Sequence, residues 1–206
     1  DNQDITINIV NINDNSPSIS SSSNFSVDEN TAFIGNIVAN DLDGDTLIYS
    51  ISGSEIQISN SGELQFIDSS GADFESQSSY SALVKVSDGI FDAQQNITIS
   101  VIDTNDNAPI FSSSSVFNPE ENQIILGTLA ASDIDNGTTL VYSISGDNLE
   151  GLGISVDSSS GIISKDSDLD YEQLSQYSFN ATVSDGVNTT NQSITVTPVS
   201  DDQMDG

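Results

Sequence analysis

The chain has 206 residues, with 32 acidic side chains against two basic ones, Lys85 and Lys165, for a formal charge of −30. A field of that size and single sign repels nucleic acid and anionic lipid and attracts cations. There is no histidine, no cysteine and no run of roughly 18 apolar residues, so imidazole or thiol catalysis, disulfide stapling and a membrane-spanning helix are all excluded. Asp1 opens no signal peptide, so the sequence reads as a piece of a longer exported protein. Hydrophobic content is low at 35%, yet the apolar residues alternate in short runs, which argues for strands rather than disorder.

In chain order, residues 4–12 alternate first (Ile5-Thr6-Ile7). Asn11-Ile12-Asn13-Asp14-Asn15-Ser16-Pro17 follows, a polar segment closed by proline. Asn and Asp favour turns, and proline fixes φ and ends a ladder, so this stretch predicts a hinge rich in hard oxygen ligands, of the kind Ca²⁺ takes. Seven strands are then predicted, near 24–28, 35–39, 46–52, 55–59, 62–66, 79–87 and 94–102, each bounded by Gly, Asn, Asp or Ser. A second hinge, Asp103-Thr104-Asn105-Asp106-Asn107-Ala108-Pro109, lies 92 positions after the first, and the strand pattern repeats behind it. Glu29-Asn30 falls on Glu121-Asn122, Gly35 on Gly127, and Asp41-Leu42-Asp43 on Asp133-Ile134-Asp135. The offset slips to 97 through extra residues near Asn148–Gly153. Beyond them Asp73-Phe74-Glu75 meets Asp170-Tyr171-Glu172, and Ser87-Asp88-Gly89 meets Ser184-Asp185-Gly186.

Seven short alternating strands per 92 residues predict an all-β fold of two tandem Greek-key sandwiches of the immunoglobulin class. The division is 1–16 as the last strand and linker of a preceding repeat, 17–107 as the first repeat and 108–206 as the second. Acids gather at strand ends, and the Asp-x-Asp and Asp-x-Glu spacings aim two carboxylates the same way from an extended backbone, which suits one shared cation. The bland alternative is a solvated acidic surface.

These marks resemble the cadherin extracellular repeat: Glu29-Asn30, Asp41-x-Asp43, Asp73-x-Glu75, a valine-rich strand into Asp88-Gly89, and Asp103-x-Asn105-Asp106-Asn107-x-Pro109. The second repeat carries all but the last, and the resemblance covers about residues 4–200. It implies three Ca²⁺ at a rigidified linker. Glu29, Asp73, Glu75 and Asp106 would hold the outermost ion. Glu29, Glu75, Asp103, Asp106, Asp135 and the Thr104 carbonyl would hold the middle one. Asn105, the Asn107 carbonyl, Asp133, Asp135 and Asp185 would hold the third. The N-terminal junction retains Asn13, Asp14, Asn15, Asp41, Asp43 and Asp88 without the upper repeat's acids, which implies at most one ion, held by Asn13, Asp41, Asp43 and Asp88. At the C-terminal end Glu121, Asp170 and Glu172 are in place, but Asp201 or Asp202 would have to stand in for the missing linker.

Some departures bear on function. Ala72 stands where a leucine usually precedes Asp-x-Glu, whereas Leu169 keeps it. There is no tryptophan, so adhesion by an exchanged tryptophan is excluded. The lack of cysteine suits a bacterial surface protein better than an animal ectodomain. Asp41-Leu42-Asp43-Gly44-Asp45 opens like an EF-hand loop, but its glycine is at position 4 rather than 6 and Ser52 stands at position 12. A glycosidase pair of Asp73 and Glu75 would be compromised by metal, so no enzyme is expected.

The expected function is therefore adhesive or structural: calcium-stiffened tandem repeats of an extracellular, membrane-associated parent protein. The partner would be a like or unlike surface protein. The alternative is a carbohydrate-binding accessory module of a secreted polysaccharide-degrading enzyme, with Phe33 and Phe91 as exposed aromatic candidates.

Overall fold

The computed structural model describes residues 3–147, 149–171 and 176–200. The chain divides into two units, Asp1–Asp103 and Thr104–Gly206. The first contains β1 (Ser18–Ile19), β2 (Asn24–Asp28), β3 (Phe33–Asn36), β4 (Ala39–Asn40), β5 (Ile48–Ile51), β6 (Ile56–Ile58), β7 (Glu63–Phe66), β8 (Ser79–Ser87) and β9 (Asp92–Ile102). One sheet runs β2-β9-β8-β5, the other β3-β7-β6, and β1 pairs with β4. The long hairpin β8–β9 sets the frame, antiparallel from Ser79 opposite Ser100 to Ser87 opposite Asp92. β2 joins the far edge of β9 in parallel, Val27 beside Val101.

Period-two alternation dictates the packing. Leu64, Val84, Val86 and Ile99 are 0% exposed, and their neighbours along each strand face outward. The inward residues of both sheets merge into one core with Ile34, Ile56 and Phe66. Burying one large aliphatic side chain contributes about 1.5–3 kcal/mol, so these alternating positions hold the sandwich closed.

The second unit repeats the plan with β10 (Ile110–Phe111), β11 (Val116–Phe117), β12 (Ile125–Thr128), β13 (Ala131–Ser132), β14 (Val141–Ser145), α1 (Leu149–Leu152), β15 (Ile154–Val156), β16 (Ile162–Lys165), β17 (Tyr177–Ser184) and β18 (Thr189–Val196). Its sheets are β11-β18-β17-β14 and β12-β16-β15, with β10 on β13. Ile163, Ala181, Val183 and Val196 fill its separate core.

Three local readings need correction. The predicted strand 35–39 is two pieces, β3 and β4. Between them the Ile37 N–H turns to the Gly62 carbonyl at 2.8 Å, and the Val38 carbonyl accepts the N–H groups of Ser20 and Ser21. β1 and β10 are two-residue strands in serine-rich sequence that carries no alternation. Among the extra residues, Leu149–Leu152 form the single helical turn α1, too short for any period to register. The recurring glycine also gains a reason. A Cβ on Gly35 would lie 2.9 Å from the Phe25 ring, and one on Gly127 would lie 2.4 Å from the Phe117 ring. Each glycine admits the aromatic ring of the neighbouring strand.

Residues 4–12 pair with no described strand, and Ile5, Ile7 and Ile9 are 81%, 82% and 95% exposed. Their equivalents in β9, Ile97, Ile99 and Val101, are 1%, 0% and 5% exposed.

Candidate metal centres

In the first unit, Glu29, Glu75 and Asp103 present oxygens that lie within 4.8 Å of one another. Glu29 is 4% exposed at the end of β2, its Oε2 accepting the Phe74 N–H at 2.8 Å. Asn30 reverses the chain here with φ of 59°, and Asn122 repeats this at 62°. Asparagine tolerates that left-handed backbone better than most residues, which explains the Glu-Asn pair. Asp73 is not brought into this group. It is exposed and opens a turn, accepting the Ser76 hydroxyl at 2.8 Å and the N–H groups of Glu75 and Ser76 at 3.1 and 3.3 Å. The Ser76 hydroxyl above all holds its carboxyl below the usual range.

The lower end of each unit is built to one plan. In the second unit Asp133, Asp135 and Asp185 gather within 4.8 Å. Asp133 Oδ1 accepts the Asp135 N–H at 3.0 Å. Asp135 is 5% exposed, and its two oxygens accept the Asn107 N–H at 2.9 Å and the Asn107 Nδ2 at 2.8 Å. Asp185 Oδ1 accepts the N–H groups of Val187 and Asn188 at 2.7 and 2.6 Å. Burial opposes ionisation of Asp185, but these N–H donors outweigh it and hold the carboxyl below its ordinary value. One oxygen each of Asp133 and Asp185 is left buried with no hydrogen bond, and Asp185 is only 8% exposed. Buried anionic oxygen without a donor is costly, and a hard divalent cation satisfies that need. The donor set therefore fits Ca²⁺.

Asn188 ties Asn105 and Asn107 together beside this group, its Nδ2 donating to the Asn107 carbonyl at 3.0 Å and meeting Asn105 Oδ1 at 3.5 Å. Sequence reasoning missed Asn188. The Thr104 carbonyl accepts the Asp106 N–H at 2.9 Å, and Asp106 Oδ1 accepts Asn107 Nδ2 at 2.8 Å.

In the first unit Asp43 takes the Asn15 N–H at 2.7 Å and Nδ2 at 2.8 Å, and these bonds, the backbone one first, lower its pKa. Asp88 Oδ1 accepts the N–H groups of Ile90 and Phe91, both at 2.7 Å. Buried oxygens of Asn13, Asp41, Asp45 and Asp88 are left without hydrogen bonds. Asp45 joins Asp41 and Asp43 within 4.8 Å. Its pKa is raised by burial and then by the charges of Asp41, Asp43 and Asp88. The continued alternation Asp41-x-Asp43-x-Asp45 is the signal that could have revealed it. Glu121 and Asp170 belong to the upper end of the second unit, whereas Glu172, Asp201 and Asp202 lie outside the described residues. Phe33 and Phe91 are 47% and 37% exposed.

A tandem β-sandwich with carboxylates gathered at the strand ends defines the class as β-sandwich repeats with candidate cation sites. No family model matches the chain. Among curated proteins, it is 32% identical over 197 residues to Cadherin-3 of Caenorhabditis elegans and 36% identical over 204 residues to Protein dachsous of Drosophila melanogaster. Each match covers 88% of this chain but 6% of the relative's length. Among solved structures, human Protocadherin-24 EC1-2 superposes with a TM-score of 0.74 at 21% identity, covering 93% of this chain and 99% of that one. Mouse Cadherin-23 EC22-24 does so with 0.72 at 25% identity, covering 93% and 67%.

The chain belongs to the cadherin repeat family. Its repeats are extracellular, and the curated relatives it matches are cadherins rather than enzymes. The polysaccharide alternative gains no support from these relatives, and neither does a bacterial source.

Proposed function

We propose that these repeats bind calcium and that the ions stiffen the Asp103–Pro109 linker, so the array serves adhesion or spacing in a longer surface protein. The observation that carries this reading is the pair of buried, donor-free oxygens on Asp133 and Asp185 beside Asp135. Glu29, Glu75 and Asp103 form the upper ligand set, with Asp73 joining after its side chain turns from Ser76. Asn105, Asp106, Asn107 and the Thr104 carbonyl supply the linker's oxygens. Asn13, Asn15, Asp41, Asp43 and Asp88, with Asp45 added, form the corresponding lower set of the first unit. Residues 4–12 are the last strand of a further repeat, because their exposed isoleucines match those buried in β9. The partner is a like or unlike surface protein.

Small-angle scattering in calcium and in EDTA tests the linker role. Calcium should narrow the spread of inter-unit distances, while β-type circular dichroism persists in both. An identical scattering profile in the two buffers would remove the mechanical role.

A further inference from the structure

Ala72 is a departure that calcium binding does not explain. Its backbone does the same work as Leu169: the Ala72 carbonyl accepts the Asn30 N–H at 2.8 Å, and the Leu169 carbonyl accepts the Asn122 N–H at 3.1 Å. Leu169 fills its own core at 1% exposure. Ala72 is also core, at 5% exposure, but is much smaller, and beside it lies a hollow of about 400 Å³. That is within the roughly 300–1,000 Å³ of ordinary ligand sites.

Its chemistry is specific. Phe66 and Tyr80 meet edge to face, ring centres 5.0 Å apart, and form the aromatic wall. Glu55, Asp68 and Asp73 stand around them, and no basic side chain is among the lining residues. Asp68 accepts the Ser70 N–H and hydroxyl at 2.9 and 2.7 Å, which hold its carboxylate in place at the rim. An aromatic wall ringed by carboxylates selects an organic cation, which the negative charge attracts and the aromatic surface accommodates.

We propose that this hollow receives a lysine or arginine side chain from a basic partner protein. A second copy of this chain is poorly suited to supply it. Each copy has two lysines and a formal charge of −30. Lys85 is paired with Asp92 at 2.7 Å, and Lys165 is bonded to Ser167. The contact is therefore heterophilic, and it rests on Glu55 and Asp68 whether or not Asp73 turns to calcium.

The test titrates the isotope-labelled full chain, in millimolar calcium, with short capped glycine peptides carrying one central lysine, arginine or glutamine. Amide shifts should localise to Glu55, Ala72 and Tyr80 with lysine and arginine, and be absent with glutamine. Ala72→Leu should weaken binding at least about fivefold without lowering the melting temperature, and Glu55→Gln should weaken it similarly. Equal shifts with glutamine, shifts spread evenly over the acidic surface, or unchanged affinity in both variants would overturn the proposal. A chain that binds no calcium yet shows these shifts would sink the calcium reading alone.

Discussion

Asn30 is chosen by its backbone. At φ of 59° most side chains crowd the following carbonyl, and asparagine and glycine suffer least. Asn30→Gly should therefore leave stability nearly unchanged, while Asn30→Val should cost about 1–2 kcal/mol in urea unfolding. A second residue-scale expectation concerns acid. Asp157 accepts the Ser160 N–H first, then the Ser160 hydroxyl and the Ser159 N–H, and its pKa falls below 3.8. A carboxyl lowered on folding contributes stability that is complete above its unfolded value and lost as pH falls through its folded one. Asp157→Asn should lower the melting temperature at neutral pH and flatten its decline below about pH 4. Parallel melting curves for the two proteins in acid would contradict this.

The same logic runs in reverse over the loop after β4. Asp45 has a raised pKa because burial and three like charges oppose its ionisation, so its charge subtracts from stability as pH rises above 3.8. In EDTA at neutral pH, Asp45→Asn should raise the melting temperature. In calcium it should weaken binding at the first unit's lower set and remove that gain. A variant less stable in EDTA would mean that Asp45 is held by its neighbours rather than repelled. Elements that close the sandwich obey packing instead of charge. β7 and β8 are governed by inward residues at 0% exposure, among them Leu64, Val84 and Val86.

For the whole molecule, an excess of carboxylates makes cations part of the stability balance. A site at ten times its dissociation constant adds about 1.4 kcal/mol, and extracellular calcium modules bind at about 10⁻⁴–10⁻³ M. Melting temperature should rise steeply between about 0.1 and 10 mM Ca²⁺. Magnesium should do much less, since it keeps its waters and demands a smaller shell. Equal shifts from both ions in differential scanning calorimetry would reduce the clusters to a diffuse counterion sink.

Alternation alone determined the strands that matter most, because a sheet with one buried face must place apolar residues at every second position. The β8 span 79–87 was legible to the residue for that reason, and so was the tandem plan, since the landmarks recur in order. The carboxylate clusters were legible in part, since Asp41-x-Asp43 and Asp133-x-Asp135 each fall within one group of neighbouring acids. Tertiary structure alone decided which carboxylate oxygen stays free. That choice depends on which N–H groups a turn happens to aim, as at Asp185 with Val187 and Asn188. It turned Asp73 toward Ser76 and brought Asp45 beside Asp41. It placed the small Ala72 at the edge of its core, beside a hollow. The identity of a side chain is local, but the donors and the empty volume it meets are contributed by segments far away in the chain.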